Sequence, residues 1–283
     1  MEGVFKLVDI NRDEIRKTAE QIRKDCICMS TRANFGHLAP ALSSADIIAT
    51  LYKGIMNYRP DNPQWPDRDS FILSKGHGCL ALYSILSQVG YYKRDLLRDF
   101  ASKCDTMLPG HPEIKLPGVE ANMGSLGHGI PLAIGMALAA KMDDRKCRVF
   151  VLTGDGELEE GTNWEAAMIA AKHKLDNLVV IVDRNSLQLG DFTENISQLE
   201  PLEDKWRAFG WSTKNVNGHN IGELLTSLNS APYETGRPTA VIAHTIKGKG
   251  LEIAENKIEW HHKVLTREQY ESLKDNLGLE ALE

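Results

Sequence analysis

The chain has 283 residues, 42% of them hydrophobic and 25% charged, with a formal net charge of −6. This is ordinary globular composition with length for a large core, and the acidic balance argues against nucleic acid as a main partner, because phosphate backbones attract basic surfaces. No apolar run approaches the roughly 20 residues needed to span a bilayer.

Met1-Glu2-Gly3-Val4-Phe5-Lys6 shows no signal-peptide apolar region. Cys26, Cys28, Cys79, Cys104 and Cys147 show no C-x-x-C spacing, so a reduced, cytoplasmic chain is expected, with no membrane partner. There is no Ser/Pro linker, low-complexity tract or internal repeat, and one α/β domain over residues 1–283 is the expectation.

Ile15, Ala19, Ile22, Cys26 and Met29 recur at spacings of four and three and predict one helix stripe. Cys26 and Cys28 point apart on it, which argues against a shared metal. A loop over 31–40 carries Gly36-His37. Ser43 or Ser44 is expected to cap a helix over 45–55, with Asp46 in its first turn. Phe71-Ile72-Leu73 predicts a strand ending at Ser74-Lys75-Gly76-His77-Gly78, and residues 79–89 a helix. The Pro/Gly-rich stretch 105–118 reads as a loop and carries His111. Residues 127–142 predict a small-residue helix whose Gly/Ala face permits close packing, in the core or against a partner.

An apolar run, 149–152, then ends in Gly154-Asp155-Gly156. A helical segment over 163–172 follows, and a second apolar run, 178–182, ends at Asp183 and Asn185. A long loop is expected over 187–199, helices over 202–209 and 221–228, and strands over 211–216 and 240–243. Strands alternating with helices predict an α/β fold: a doubly wound, mostly parallel sheet with helices on both faces. Open sheets of this kind bind ligands at the carboxyl ends of their strands. An aspartate, an asparagine oxygen and a backbone carbonyl there form a hard-oxygen set for Mg²⁺ or Ca²⁺, completed by outside oxygens such as those of a diphosphate.

Four histidines, His37, His77, His111 and His261, sit in loops or at strand ends, mostly beside Gly or Pro. Imidazoles so placed can hydrogen-bond diphosphate oxygens or sugar hydroxyls and relay protons near neutral pH. Zinc is excluded by type and spacing, for there is no H-E-x-x-H and no Cys/His cluster. His173, His219 and His244 carry no motif and read as structural.

Taken together, these segments resemble the thiamine diphosphate enzymes of the transketolase type. Gly36-His37-Leu38-Ala39-Pro40, Leu73-Ser74-Lys75-Gly76-His77-Gly78 and Pro109-Gly110-His111-Pro112-Glu113 resemble that family's three histidine loops. Gly124-Ser125-Leu126-Gly127-His128-Gly129 resembles its glycine-rich segment. Gly154 to Gly161 resembles the diphosphate turn, and His244 to Gly250 with Trp260-His261 the last two elements. The resemblance runs in order along nearly the whole chain. One departure stands out: Arg184 precedes Asn185 where the family shows Asn or Asp.

The resemblance implies a set of roles. Asp155, Asn185 and the Leu187 carbonyl would bind the cation, Mg²⁺ or else Ca²⁺ or Mn²⁺. Gly124, Leu126, Gly154, Gly156 and His77 would contact thiamine diphosphate, with His261 nearby. His37, His111 and His261 would face the reacting carbon and the substrate's hydroxyls. Glu160 and Glu165 would join an acidic chain between paired cofactors, although carboxylates near a helix start are favoured in any case. The chain would be the diphosphate-binding, N-terminal subunit of a split transketolase. The pyrimidine-binding and C-terminal domains are expected on a partner chain, in an α2β2 assembly. The reaction implied is transfer of a two-carbon unit from a ketose phosphate to an aldose, with the bond between C2 and C3 broken and the histidines handling protons. Competing readings are the α-subunit of a 2-oxoacid dehydrogenase, which lacks the three histidine loops, a deoxyxylulose phosphate synthase fragment, and a non-catalytic binding module. A dinucleotide-binding protein would need a G-x-G-x-x-G after its first strand, and none occurs there.

Overall fold

Side chains that alternate between two faces along continuously buried strands set the architecture. The computed structural model describes residues 11–280 and Leu282; Met1 to Lys6, read above for a leader, lie outside the described residues. The strands are β1 (Ser70–Leu73), β2 (Val149–Gly154), β3 (Leu178–Arg184), β4 (Ser212–Asn217) and β5 (Thr239–His244). They form one sheet in the order β1-β2-β3-β5-β4, and each neighbouring pair is parallel. The helices are α1 (Arg12–Ala33), α2 (Leu38–Thr50), α3 (Cys79–Gln88), α4 (Gly129–Met142), α5 (Gly161–Lys172), α6 (Thr193–Ile196), α7 (Leu202–Ala208), α8 (Ile221–Asn229) and α9 (Arg267–Leu277).

Phe150, Leu152, Val179, Ile181 and Val241 point to one face and pack with α1, α2, α3 and α8. Their neighbours Val149, Val151, Leu178, Val180, Val182 and Ile242 point to the other and pack with α4, α5 and α7. A parallel sheet covered on both faces requires such continuous apolar strands. The doubly wound α/β fold read from the sequence is the fold observed.

Several local expectations are corrected. Helix α2 starts at Leu38 rather than at Ala45, with His37 in the N-cap position and no side-chain cap bond. Pro40 falls in its first turn, where a missing N–H costs nothing. Ser43 and Ser44 are therefore buried in the helix interior, their hydroxyls 3.0 and 2.8 Å from the Pro40 carbonyl. Asp46 is not a first-turn residue either. It takes Arg23 at 2.5 Å and His219 at 2.7 Å, tying α1 and the loop after β4 to α2. A single π-turn, Leu51–Ile55, ends this helical stretch.

The small residues of α4 divide between two faces. Gly129, Ala133, Ala137 and Ala140 are buried on the sheet side, whereas Pro131, Leu132, Gly135 and Ala139 are exposed. The loop expected over 187–199 contains the short helix α6. Helix α9 is an addition to the expected elements, and Thr266 and Gln269 form a capping box at its start.

The register fixes the sheet edge that matters. Gly154 pairs with Asp183, and Arg184 pairs with His244. The loops after β2, β3 and β5 therefore leave the sheet side by side, carrying Asp155, Asn185 and Lys247.

Candidate active site

Four distant segments bring their histidines to this edge. His37 precedes α2, His77 lies in the tight turn Gly76–Gly78, His111 sits on the loop between α3 and α4, and His261 follows the turn Ile258–Trp260. The ring of His37 lies 5.2 Å from His77, 5.6 Å from His261 and 6.3 Å from His111, centroid to centroid. His77 and His261 are 5.4 Å apart. The loop of His111 is held from below: Tyr83 OH is 2.8 Å from the Pro109 carbonyl and 3.0 Å from that of His111. His262, which no sequence motif singles out, stacks against His37 at 4.4 Å and meets Phe35 edge-on at 5.7 Å.

Burial keeps these rings neutral. It depresses His37 to about 4, with His262, His111 and Lys247 adding repulsion. It depresses His261 to about 3, again with Lys247 nearby. His77 falls well below its ordinary value and His111 falls too, both through burial. A neutral imidazole offers one N–H and one lone pair, which suits it to hydroxyl groups and proton transfer.

Two buried lysines complete the cluster, and neither is assigned from sequence. Lys75 is 1% exposed. It forms an ion pair with Asp183 and lies 2.8 Å from the Pro40 carbonyl. Asp183 also takes the hydroxyls of Ser43 at 2.6 Å and of Thr245. Burial works against its charge, but Lys75 and these donors hold the carboxyl below its usual range. Lys247 is also 1% exposed. Its ammonium donates to the Leu187 carbonyl at 2.9 Å and to His261 Nδ1 at 2.8 Å. Burial lowers Lys247 to about 8, while Asp155 pulls the other way. Both lysines sit in glycine-flanked motifs, but no local pattern announces that a lysine will be buried.

Asp155 follows β2 and is 2% exposed. Its Oδ1 accepts from the Gly156 N–H at 2.9 Å, and its Oδ2 from the Ser186 N–H at 2.5 Å and Arg184 at 3.1 Å. Burial and the neighbouring Asp183 raise its carboxyl above the usual value, against the pull of Arg184. Asn185 directs Oδ1 to the Leu187 N–H at 3.1 Å. The expected oxygen set thus lies on adjoining loops, with the Leu187 carbonyl engaged by Lys247. A carbonyl has a second lone pair, so this contact and a cation are compatible. Among the described residues, no group of three or more His, Cys, Asp and Glu side chains is arranged to hold a metal. A set of one carboxylate, one amide and one carbonyl fits a hard cation that also needs outside oxygens. Gly156 is tightly enclosed, since a Cβ there would stand 2.9 Å from Gln188 Cβ.

The glycine-rich segment is anchored by Glu157, another residue without a sequence assignment. This buried carboxylate accepts from Ser74 Oγ at 2.5 Å and from the N–H groups of Gly127 at 2.9 Å and Gly154 at 3.1 Å. It joins the second histidine loop, the Gly124–Gly129 segment and the Gly154–Gly156 turn. Gly127 has φ +80, and a Cβ would stand 2.6 Å from Glu160 Cβ. Glu160 precedes α5 and Glu165 lies on it; both are exposed. Neither side chain appears among the hydrogen bonds of the histidine cluster. His219 is structural, as expected: Nε2 accepts the Ile246 N–H at 2.8 Å, so Nδ1 donates to Asp46.

The chain is similar to known proteins along most of its length. The family model of the transketolase thiamine diphosphate binding domain matches residues 15–283. An apulose-4-phosphate transketolase subunit of Actinobacillus succinogenes is 42% identical over 271 residues, covering 95% of this chain and 98% of that protein. The 6-deoxy-6-sulfo-D-fructose transketolase subunit SqwG of a Clostridium species is 40% identical, covering 92% and 94%. The crystal structure of Campylobacter jejuni transketolase superposes with a TM-score of 0.88 at 31% identity, covering 96% of this chain. This chain spans 44% of that longer one. The chain belongs to the transketolase family, in its thiamine diphosphate-binding domain.

Proposed function

We propose that this transketolase-family chain is the diphosphate-binding subunit of a two-chain enzyme that moves a two-carbon ketol unit from a ketose phosphate to an aldose. The observation that carries the reading is the convergence of His37, His77, His111 and His261 on the sheet edge where Asp155, Asn185 and Lys247 meet. Thiamine diphosphate, when bound, supplies the electron sink that lets a carbon–carbon bond beside a carbonyl break and re-form.

The chain's own residues do the rest. Asp155, Asn185 and the Leu187 carbonyl would hold a divalent cation, Mg²⁺ by the hard-oxygen character of the set. Gly154, Gly156, Gly124, Leu126 and His77 would line the diphosphate, and Lys247 would give it a buried positive charge. His37, His111 and His261 stay neutral, orient sugar hydroxyls and accept or return protons. Residues 1–283 would serve as one diphosphate-binding domain, working in the cytoplasm.

The Actinobacillus and Clostridium relatives are each named as one subunit of a transketolase, which supports a partner chain. Leu132 and Met142 on α4 and Met168 and Ile169 on α5 are large apolar side chains left exposed. Met168 and Ile169 follow Glu165 by three and four positions on the same helix face, and exposed apolar side chains of this kind fit a protein interface. Two copies of each chain about a two-fold axis is the simplest closed arrangement. An acidic ketose, phosphorylated or sulfonated, is the substrate class named for these relatives and the one to assay first.

The test is ketol transfer by the purified chain alone and then with a co-expressed partner chain that carries a pyrimidine-binding domain, with thiamine diphosphate binding followed by calorimetry. Activity is expected only from the mixture. Full activity from this chain by itself would overturn the two-chain reading, and a mixture that binds no thiamine diphosphate would overturn the cofactor.

A further inference from the structure

One buried cation touches the site described above only through Asp155. Arg184 closes β3 and is 4% exposed. Period-two alternation turns it away from Asp183 and toward the face of α5 and α7. Its guanidinium reaches four acceptors. One nitrogen lies 3.1 Å from Asp155 Oδ2 and 2.6 Å from Thr193 Oγ1. The other lies 2.7 Å from Glu194 Oε1 and 3.1 Å from Glu200 Oε1. Three of the four partners belong to the stretch of chain leaving the site.

That stretch is folded back on itself. Leu187 bridges Phe192, and the Thr193 N–H donates to the Ser186 carbonyl at 3.0 Å. Glu194 also takes the Leu199 N–H at 3.3 Å. Its outer surface exposes Leu189, Phe192 and Ile196, and its root supplies Asn185 and the Leu187 carbonyl.

We infer that Arg184 is a positioning residue that couples the order of segment 187–200 to the cation cradle at Asp155. The inference rests on the proposed reading of Asp155, Asn185 and Leu187 as cation ligands. A guanidinium is planar and always charged, and it can bond several oxygens in one fixed fork. Buried without partners it would be costly, so Glu194, Glu200 and Thr193 must stay in place for it to remain aimed at Asp155. Arg184 and the Ser186 N–H both bind Oδ2. Oδ1 has only the Gly156 N–H among the described residues and is the freer oxygen for a cation. The same guanidinium thus fixes Asp155 and the chain carrying the other two oxygens. Mg²⁺ demands near-octahedral geometry, so its affinity depends on that spacing. By linkage, cation binding must in turn order the segment.

The full chain with its partner subunit tests this by two readouts: the Mg²⁺ dependence of thiamine diphosphate binding by calorimetry, and amide hydrogen exchange of residues 187–200. The Glu194→Gln, Glu200→Gln double variant leaves Asp155 untouched. It should speed exchange in the segment and raise the Mg²⁺ concentration for half-saturation by about tenfold, the scale of one charged hydrogen bond. The sugar KM at saturating Mg²⁺ should stay put. Arg184→Lys keeps a charge without the fork and should fall between wild type and Arg184→Met. In wild type, Mg²⁺ with thiamine diphosphate should slow exchange of the segment. Unchanged Mg²⁺ dependence in a double variant whose segment has loosened would overturn the coupling, as would a segment that the double variant fails to loosen. A wild type that binds no cofactor with Mg²⁺ would instead bring down the cradle itself, and this inference with it.

Discussion

The ammonium of Lys247 lies 2.8 Å from Nδ1 of His261. An ammonium has only protons to offer, so Nδ1 must accept and His261 carries its own proton on Nε2. The contact fixes the tautomer of a histidine at the mouth of the cluster, and it leaves the lysine within reach of whatever anion enters.

Replacing Lys247 by Met should therefore weaken thiamine diphosphate binding by about ten- to a hundredfold, the range for losing a hydrogen bond to a charged group. Stability should hold or rise, because methionine fills the apolar path of the stem and removes a buried charge. Calorimetry and thermal melting of the two-chain complex read the two effects separately. A drop in melting temperature with unchanged affinity would make Lys247 a structural residue only.

Asp155→Asn keeps the shape of the turn but removes the charge that a cation needs. Thiamine diphosphate binding at millimolar Mg²⁺ should disappear while the variant still melts cooperatively. Wild-type affinity in this variant would show that the cation is held elsewhere.

His37→Ala, His111→Ala and His261→Ala should each slow ketol transfer by about 10²–10⁴-fold, the usual contribution of a general acid or base. All three rings lie at the sheet edge rather than in either apolar core, so melting temperatures should move little. Steady-state kinetics on the complex check this, and three wild-type rates would remove the assignment.

The depressed histidines also make stability depend on pH. The fold holds His37 at about 4 against an ordinary 6.5, and His261 at about 3. Between those values and 6.5 the unfolded chain binds more protons than the folded one. Stability is thus fully present above about pH 6.5 and falls as the pH drops toward 4. Melting temperatures taken from pH 7 down to pH 4.5 should decline, and His37→Asn should flatten the slope. An identical slope in that variant would mean that His37 titrates normally in the fold.

Much of this is legible in the sequence because it is local. The apolar runs of β2 and β3 end in Gly154-Asp155-Gly156 and in Asp183 to Asn185, and a strand that ends places its next residue at the sheet edge whatever surrounds it. The glycine-flanked histidines follow the same logic. The start of helix α2 is hidden because Pro40 reads as a loop signal, although the first turn of a helix accepts it. The four-way clamp of Arg184, the Lys75–Asp183 pair and the seat of Lys247 on the Leu187 carbonyl are beyond reach. Lys75 and Asp183 are 108 positions apart in the chain, and Lys247 and Leu187 are 60. A charged side chain is ordinarily solvated, and only the packing of β3 between β2 and β5, with helices on both faces, removes the water and leaves these groups to one another. Sequence determined which chemistry reaches the edge of the sheet; tertiary structure decided which charges are buried there, because burial belongs to the assembled layers and to no segment alone.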